Sequence, residues 1–202
     1  AEVDPEVEAT RWLEAANEVR PGCLLERTLP LLPVPSPAAL TWILTRQPHG
    51  FAGVAREALC CVLRLPALTR GDVYGATAWT SGALSGEVAL SGGDKKQGVV
   101  ASPIVLSGDG GHGTAVWVLD PRADGWVIRG AVFIPTQSAA RLVSIDSDPL
   151  LKRDQRALVL RQTTRSGTSE HWIALTTSDE LREVFAATVK PTDGSWTGKI
   201  HR

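Results

Sequence analysis

The residues that come closest to a cation-binding pattern are Asp146, Asp148 and Asp154, three carboxylates within one short stretch. Calcium takes several hard oxygens from a single flexible loop, so this trio is the candidate metal site and calcium the candidate cofactor. Lys152 and Arg153 lie inside the same stretch and oppose a divalent ion, which leaves a solvated turn as the competing reading and no cofactor as the default. The most glycine-dense segment, Ser107-Gly108-Asp109-Gly110-Gly111-His112-Gly113, offers either a backbone nest for an anion or an Asp109–His112 pair for acid/base work. It matches neither the phosphate-binding nor the dinucleotide pattern, and the same residues make a hairpin loop between two strands.

The four histidines, His49, His112, His171 and His201, have no metal-site spacing. Glu170 and His171 are neighbours in an expected strand, point to opposite faces and do not share one ion. Gly82-Ala83-Leu84-Ser85-Gly86 places its serine one position late for a nucleophile elbow. A hydrolase on this chain therefore needs a site assembled from distant residues, with His112, Asp109 and His171 as the catalytic candidates. Three cysteines, Cys23, Cys60 and Cys61, contain no Cys-x-x-Cys pair. A bridge from Cys23 to Cys60 or Cys61 suits an exported protein and contributes about 3–4 kcal/mol in the chain-entropy account, whereas three small buried thiols are the alternative. On the expected third helix Cys60 faces the polar side, which makes it the easier partner for Cys23. Seven Trp against one Tyr and three Phe is an unusual aromatic balance: Trp12, Trp117 and Trp126 read as core, while any exposed Trp points to a glycan- or protein-binding face.

The chain of 202 residues, 43% hydrophobic and 21% charged, is long enough to bury a core without metal or disulfide staples. A net charge of −1 gives no electrostatic case for gripping nucleic acid, and no apolar run approaches the ~20 residues of a transmembrane segment. There is no Met, and the opening Ala1-Glu2-Val3-Asp4 fits the residues after a signal-peptidase cut, although a cloning boundary reads the same. Export to the periplasm or cell surface is the expectation.

The elements that must position these groups fall into two halves. Asp4-Pro5 with Glu6 and Glu8 starts a helix that Arg20-Pro21-Gly22 ends, its apolar stripe running through Ala9, Trp12, Leu13 and Ala16. Alternating proline and aliphatic residues over 29–37 read as an extended strap on an apolar surface. Ser36-Pro37 starts a second helix, with a strand over 41–45 as its competitor, and a third helix is expected over 51–65. Beyond residue 70 short Val-, Ile- and Trp-rich runs punctuated by Gly, Ser and Thr predict strands near 73–80, 87–90, 98–106, 114–120, 125–134, 140–146, 156–164, 170–177, 181–189 and 194–200. The stretch 181–185 could instead be a short helix capped by Ser178. The fold class is thus α+β: a helical N-terminal segment, 1–70, packed on an antiparallel β-domain, 71–202, curled into a sandwich or partial barrel, the two forming one compact unit.

Within the second half, Asp124-Gly125-Trp126, then Asp146-Ser147-Asp148 through Asp154, then Ala157-Leu158-Val159-Leu160-Arg161, then 180–185 follow one another in a recognisable order. Over 114–189 this resembles the β-domains of FG-GAP or VCBS type in exported bacterial proteins and lipoproteins. The resemblance implies a non-catalytic surface or envelope module, and an acidic loop able to hold calcium, where this chain has Pro149-Leu150-Leu151-Lys152-Arg153 in place of the glycine-rich turn. The reading that follows is an exported bacterial binding module with a protein or glycan partner in the envelope. The alternatives are a secreted hydrolase with a site no motif flags and a subunit of a larger envelope assembly.

Overall fold

The structure, a computed structural model, describes residues 3–18, 32–46, 58–59, 61–64, 76–79, 82–90, 95–106, 111–150, 155–176, 178, 180–189 and 195–200. Helix α1 spans Pro5–Glu18 and starts where the sequence places it: Asp4 Oδ1 accepts the Glu6 amide at 2.8 Å. Helix α2 spans Pro37–Arg46, so the helix prevails over the competing strand. Its cap, Ser36, accepts the Ala39 amide on Oγ at 3.2 Å. The Ser36 amide and hydroxyl in turn donate to the two Glu8 carboxylate oxygens at 2.8 and 2.5 Å, so one side chain of α1 fixes where α2 begins. Residues 58–59 and 61–62 are helical, while most of the expected third helix lies outside the described residues. The strap is extended where it is described: Val34 bridges the backbone of Trp126, and Pro33 O accepts the Trp12 indole N–H at 2.8 Å.

Among the described residues ten strands follow, β1 Ala76–Trp79, β2 Leu84–Val88, β3 Gln97–Leu106, β4 His112–Arg122, β5 Gly125–Thr136, β6 Arg141–Pro149, β7 Arg156–Thr164, β8 Gly167–Leu175, β9 Leu181–Val189 and β10 Trp196–Ile200. The segment 181–185 is therefore strand rather than helix. They form two antiparallel sheets. The first runs β1-β3-β4-β5, with β2 sharing the β1 side of β3, and the second is a plain meander β6-β7-β8-β9-β10. The α+β class holds, and the two sheets close over one apolar cluster as a sandwich. Among the described residues no helix is long and apolar enough to cross a membrane.

Two apolar clusters define three layers. Ala9, Trp12, Leu40, Ile43, Leu44, Leu59 and Leu63 pack on Val100, Ile104, Trp117, Leu119 and Ile128, which puts the helices on one face of the first sheet. Val99, Ala101, Val116, Val118 and Ile134 look the other way, onto Leu142, Leu158, Leu160, Ile173 and Leu181 of the second sheet. The first sheet is thus covered on both faces, and β4 is buried at every position from Gly113 to Asp120. That explains why its sequence shows an unbroken apolar run instead of alternation. Close approach between layers at Gly98 and Gly130, and between β4 and β5 at Gly113, needs glycine. A Cβ on Gly98 would collide with the Pro37 ring, one on Gly113 with the Phe133 ring, and one on Gly130 would lie 3.0 Å from Leu181 Cδ1.

Candidate functional site

At the seam between α1, the strap and the first sheet lies a groove with Trp126 at its centre. Gly125, at φ +137°, closes the β4–β5 turn in a conformation that favours glycine, and the next residue is Trp126, the second residue of β5. Its half-buried indole borders two adjoining hollows, one of about 510 Å³ against Pro37, Ser36 and Glu87, the other of about 400 Å³ against Trp12, Leu32 and Asp124. Both volumes lie in the range of small-ligand sites. Val3, Glu8, Gly125 and Trp126 line both hollows. Because Gly98 has no side chain, Pro37 and Trp126 Cζ3 come within reach of its Cα in the larger hollow. Glu8 is oriented by Ser36, Glu87 pairs with Lys96 at 3.2 Å on the surface, and Asp124 is exposed in the turn.

A second assembly lies between the sheets. Thr114 Oγ1 of β4 donates to Gln162 Oε1 of β7 at 2.6 Å, which aims the amide nitrogen at His171 Nε2, 3.0 Å away on β8. Ser169 Oγ is 2.9 Å from that same nitrogen, and His171 Nδ1 meets Glu183 Oε1 of β9 at 2.5 Å. With the amide nitrogen donating, Nε2 accepts from Gln162 with the Ser169 hydroxyl beside the same lone pair, and Nδ1–H donates to the carboxylate. Gln162 is 0% exposed, Ser169 7% and His171 8%, so the chain is interior. Buried polar groups cost several kcal/mol unless paired, and here each finds a partner, Ser169 along its own strand and the others across strands or across layers.

The outer face of the second sheet carries a third. Arg161 donates to Glu170 at 2.8 Å and to Asp146 at 2.7 Å, Trp172 Nε1–H donates to Glu170 at 2.6 Å, and Trp172 meets Phe185 edge to face at 6.4 Å. Burial alone pushes the Glu170 carboxyl up, but the Trp172 N–H and the Arg161 guanidinium more than offset it and hold the group below its ordinary range. A lowered folded-state pKa stabilises the protein above the unfolded-state value and ceases to do so as pH falls through the folded one. Glu170→Gln is therefore expected to lower the urea midpoint at pH 7 and to leave it equal to that of the parent near pH 2; an undiminished gap at the acid end would show that packing, not charge, is involved.

The sequence candidates are dispersed. His112 opens β4, half-buried, with no hydrogen-bond partner on Nδ1 among the described residues, and Asp109, its expected acid/base partner, lies outside them. His171 is in the interlayer chain, and Glu170 faces away from it. Asp146 and Asp148 belong to a strand that runs three residues further than expected, and Asp146 is held by Arg161 and Ser144; Asp154 lies outside the described residues. Among the described residues no group of three metal-ligating side chains forms. Cys23 and Cys60 also lie outside the described residues, and Cys61 sits half-buried between Leu59 and Leu63. Sequence reasoning placed Trp126 in the core and passed over Ser169, Gln162, Thr114 and Glu183. The one local signal was Ser169-x-His171, whose spacing in a strand puts both on one face.

Known protein families, curated proteins and solved structures offer no match to this chain.

Proposed function

We propose that the chain is a non-catalytic binding module exported to a bacterial cell envelope, periplasmic or at the cell surface, with the Trp126 groove as its recognition site. The observation that carries this reading is a half-buried indole between two adjoining hollows rimmed by carboxylates. An aromatic platform with a few convergent polar groups is the usual anatomy of a ligand site. The test is co-sedimentation of the purified protein with isolated bacterial envelope fragments. Trp126→Ala is expected to bind at least about tenfold more weakly, equivalent to roughly 1.4 kcal/mol. Equal binding by parent and variant would overturn the assignment of the site.

A bridge from Cys23 to Cys60 or Cys61 would support export. With three cysteines in the chain, alkylation of denatured protein from its native compartment is expected to label one thiol before reduction and three after it. Labelling of all three at once would remove this support.

One observation favours a second reading, a hydrolase: Ser169, His171 and Glu183 stand in the order nucleophile, base, acid at 2.9 and 2.5 Å. Against it, the Gln162 amide already occupies the nitrogen that must take the serine proton, and the hydroxyl lies in the interior. A fluorophosphonate that labels the folded protein, and fails to label Ser169→Ala, would establish the hydrolase and displace the binding module.

A further inference from the structure

Resting on the reading of the groove as a recognition site, we infer that its ligand is an amino-sugar oligosaccharide. The rim supplies acceptors and an excess of carboxylates: Glu8, which accepts from Ser36, Glu87, which pairs with Lys96, and Asp124, exposed in the turn, against Arg11, the single cation lining either hollow among the described residues. An anionic ligand is repelled, and one rich in hydroxyl and ammonium donors is matched. The centre supplies an indole, whose electron-rich face takes the apolar C–H face of a pyranose and attracts a nearby ammonium. Two hollows meeting at one indole give room for neighbouring sugars on either side of a ring stacked at Trp126.

The backbone disfavours the main competitor, an extended cationic peptide. A common mode for such peptides is to add a strand to a free sheet edge. Beside Trp126 the β5 edge is already bridged by Val34 of the strap, so main-chain pairing is taken where the indole lies. A sugar needs no such edge.

The experiment titrates the full chain with hexaglucosamine, with its N-acetylated neutral counterpart, with hexagalacturonate and with pentalysine, following the indole N–H signals by NMR. Hexaglucosamine is expected to shift the Trp126 signal, identified by its loss in Trp126→Phe, and to bind about tenfold more tightly than the neutral hexamer, while hexagalacturonate does not bind. Asp124→Asn, a change at an exposed turn that leaves the core untouched, is expected to weaken hexaglucosamine about threefold. Pentalysine binding as tightly at Trp126 would overturn the sugar and leave the groove as a cationic-peptide site. No response to any probe, with envelope co-sedimentation still lost in Trp126→Ala, would overturn the ligand class alone. No response together with co-sedimentation indifferent to Trp126 would overturn both readings.

Discussion

Trp117→Ala is expected to lower the unfolding free energy by about 4 kcal/mol, measured as a fall in urea midpoint at unchanged slope. The side chain is 0% exposed, in the middle of β4, on the face that meets the helices. Its loss leaves a cavity where two layers meet. It also removes the indole N–H that donates to Leu63 O at 2.9 Å, a bond that spans 54 positions and ties the helical turn near residue 60 to the first sheet. Trp117→Phe separates the two contributions. It retains most of the ring and leaves the Leu63 carbonyl without its donor, for an expected cost of about 2 kcal/mol. A cost below about 1 kcal/mol for the alanine variant would mean that the helical layer and the sheets do not unfold together.

The second large effect is expected at His171. Replacing it with alanine strands the Gln162 amide and the Ser169 hydroxyl and removes the ring from the Glu183 carboxylate, for a loss of about 3 kcal/mol. Ser169→Ala removes one arm of the chain and is expected to cost about 1 kcal/mol. Thr114→Val and Gln162→Leu lie at the two ends of a bond between layers, so their double variant should be less destabilised than the sum of the singles. Strict additivity would show that the chain does not act as a unit. The same ranking distinguishes a structural pin from a catalytic relay, because a relay makes activity, rather than stability, the property most sensitive to Ser169.

The elements were more legible than the site. Asp4 and Ser36, each followed by proline, mark two helix starts, and both cap their helices as expected. The valine-rich run of β4 and the turn at Asp124-Gly125 identify the central hairpin, because strand preference and turn chemistry agree locally. Strand β2 was expected at 87–90 and lies at Leu84–Val88, since Ser85 and Gly86 carry little strand signal and gain it only by pairing with Val100 and Val99. The interlayer chain was illegible for a related reason. Thr114 and Gln162 are 48 positions apart, and nothing in either neighbourhood names the other. Trp126 was read as core because its neighbours are apolar, yet it lies where the sheet meets the strap, so its exposure follows from tertiary packing that no local pattern encodes.

The burial of the first sheet on both faces has a consequence for how its strands find their alignment. In a sheet with one wet face, a slip of one residue exposes every apolar side chain, so polarity itself rejects the error. For β4 that check is weakened, because both faces of the strand are dry and a shifted pairing would still bury the run Ala115 to Leu119, leaving only Thr114 and Asp120 to register the error. Alignment must then be proofread by shape. Gly98 admits the Pro37 ring, Gly113 admits Phe133 and Gly130 admits Leu181, each bulky group fitting where a Cβ is missing. A shift of β3, β4 or β5 would bring a side chain to the place of Gly98, Gly113 or Gly130 respectively and be refused by steric collision, so in the middle layer size does the discriminating that solvent does elsewhere.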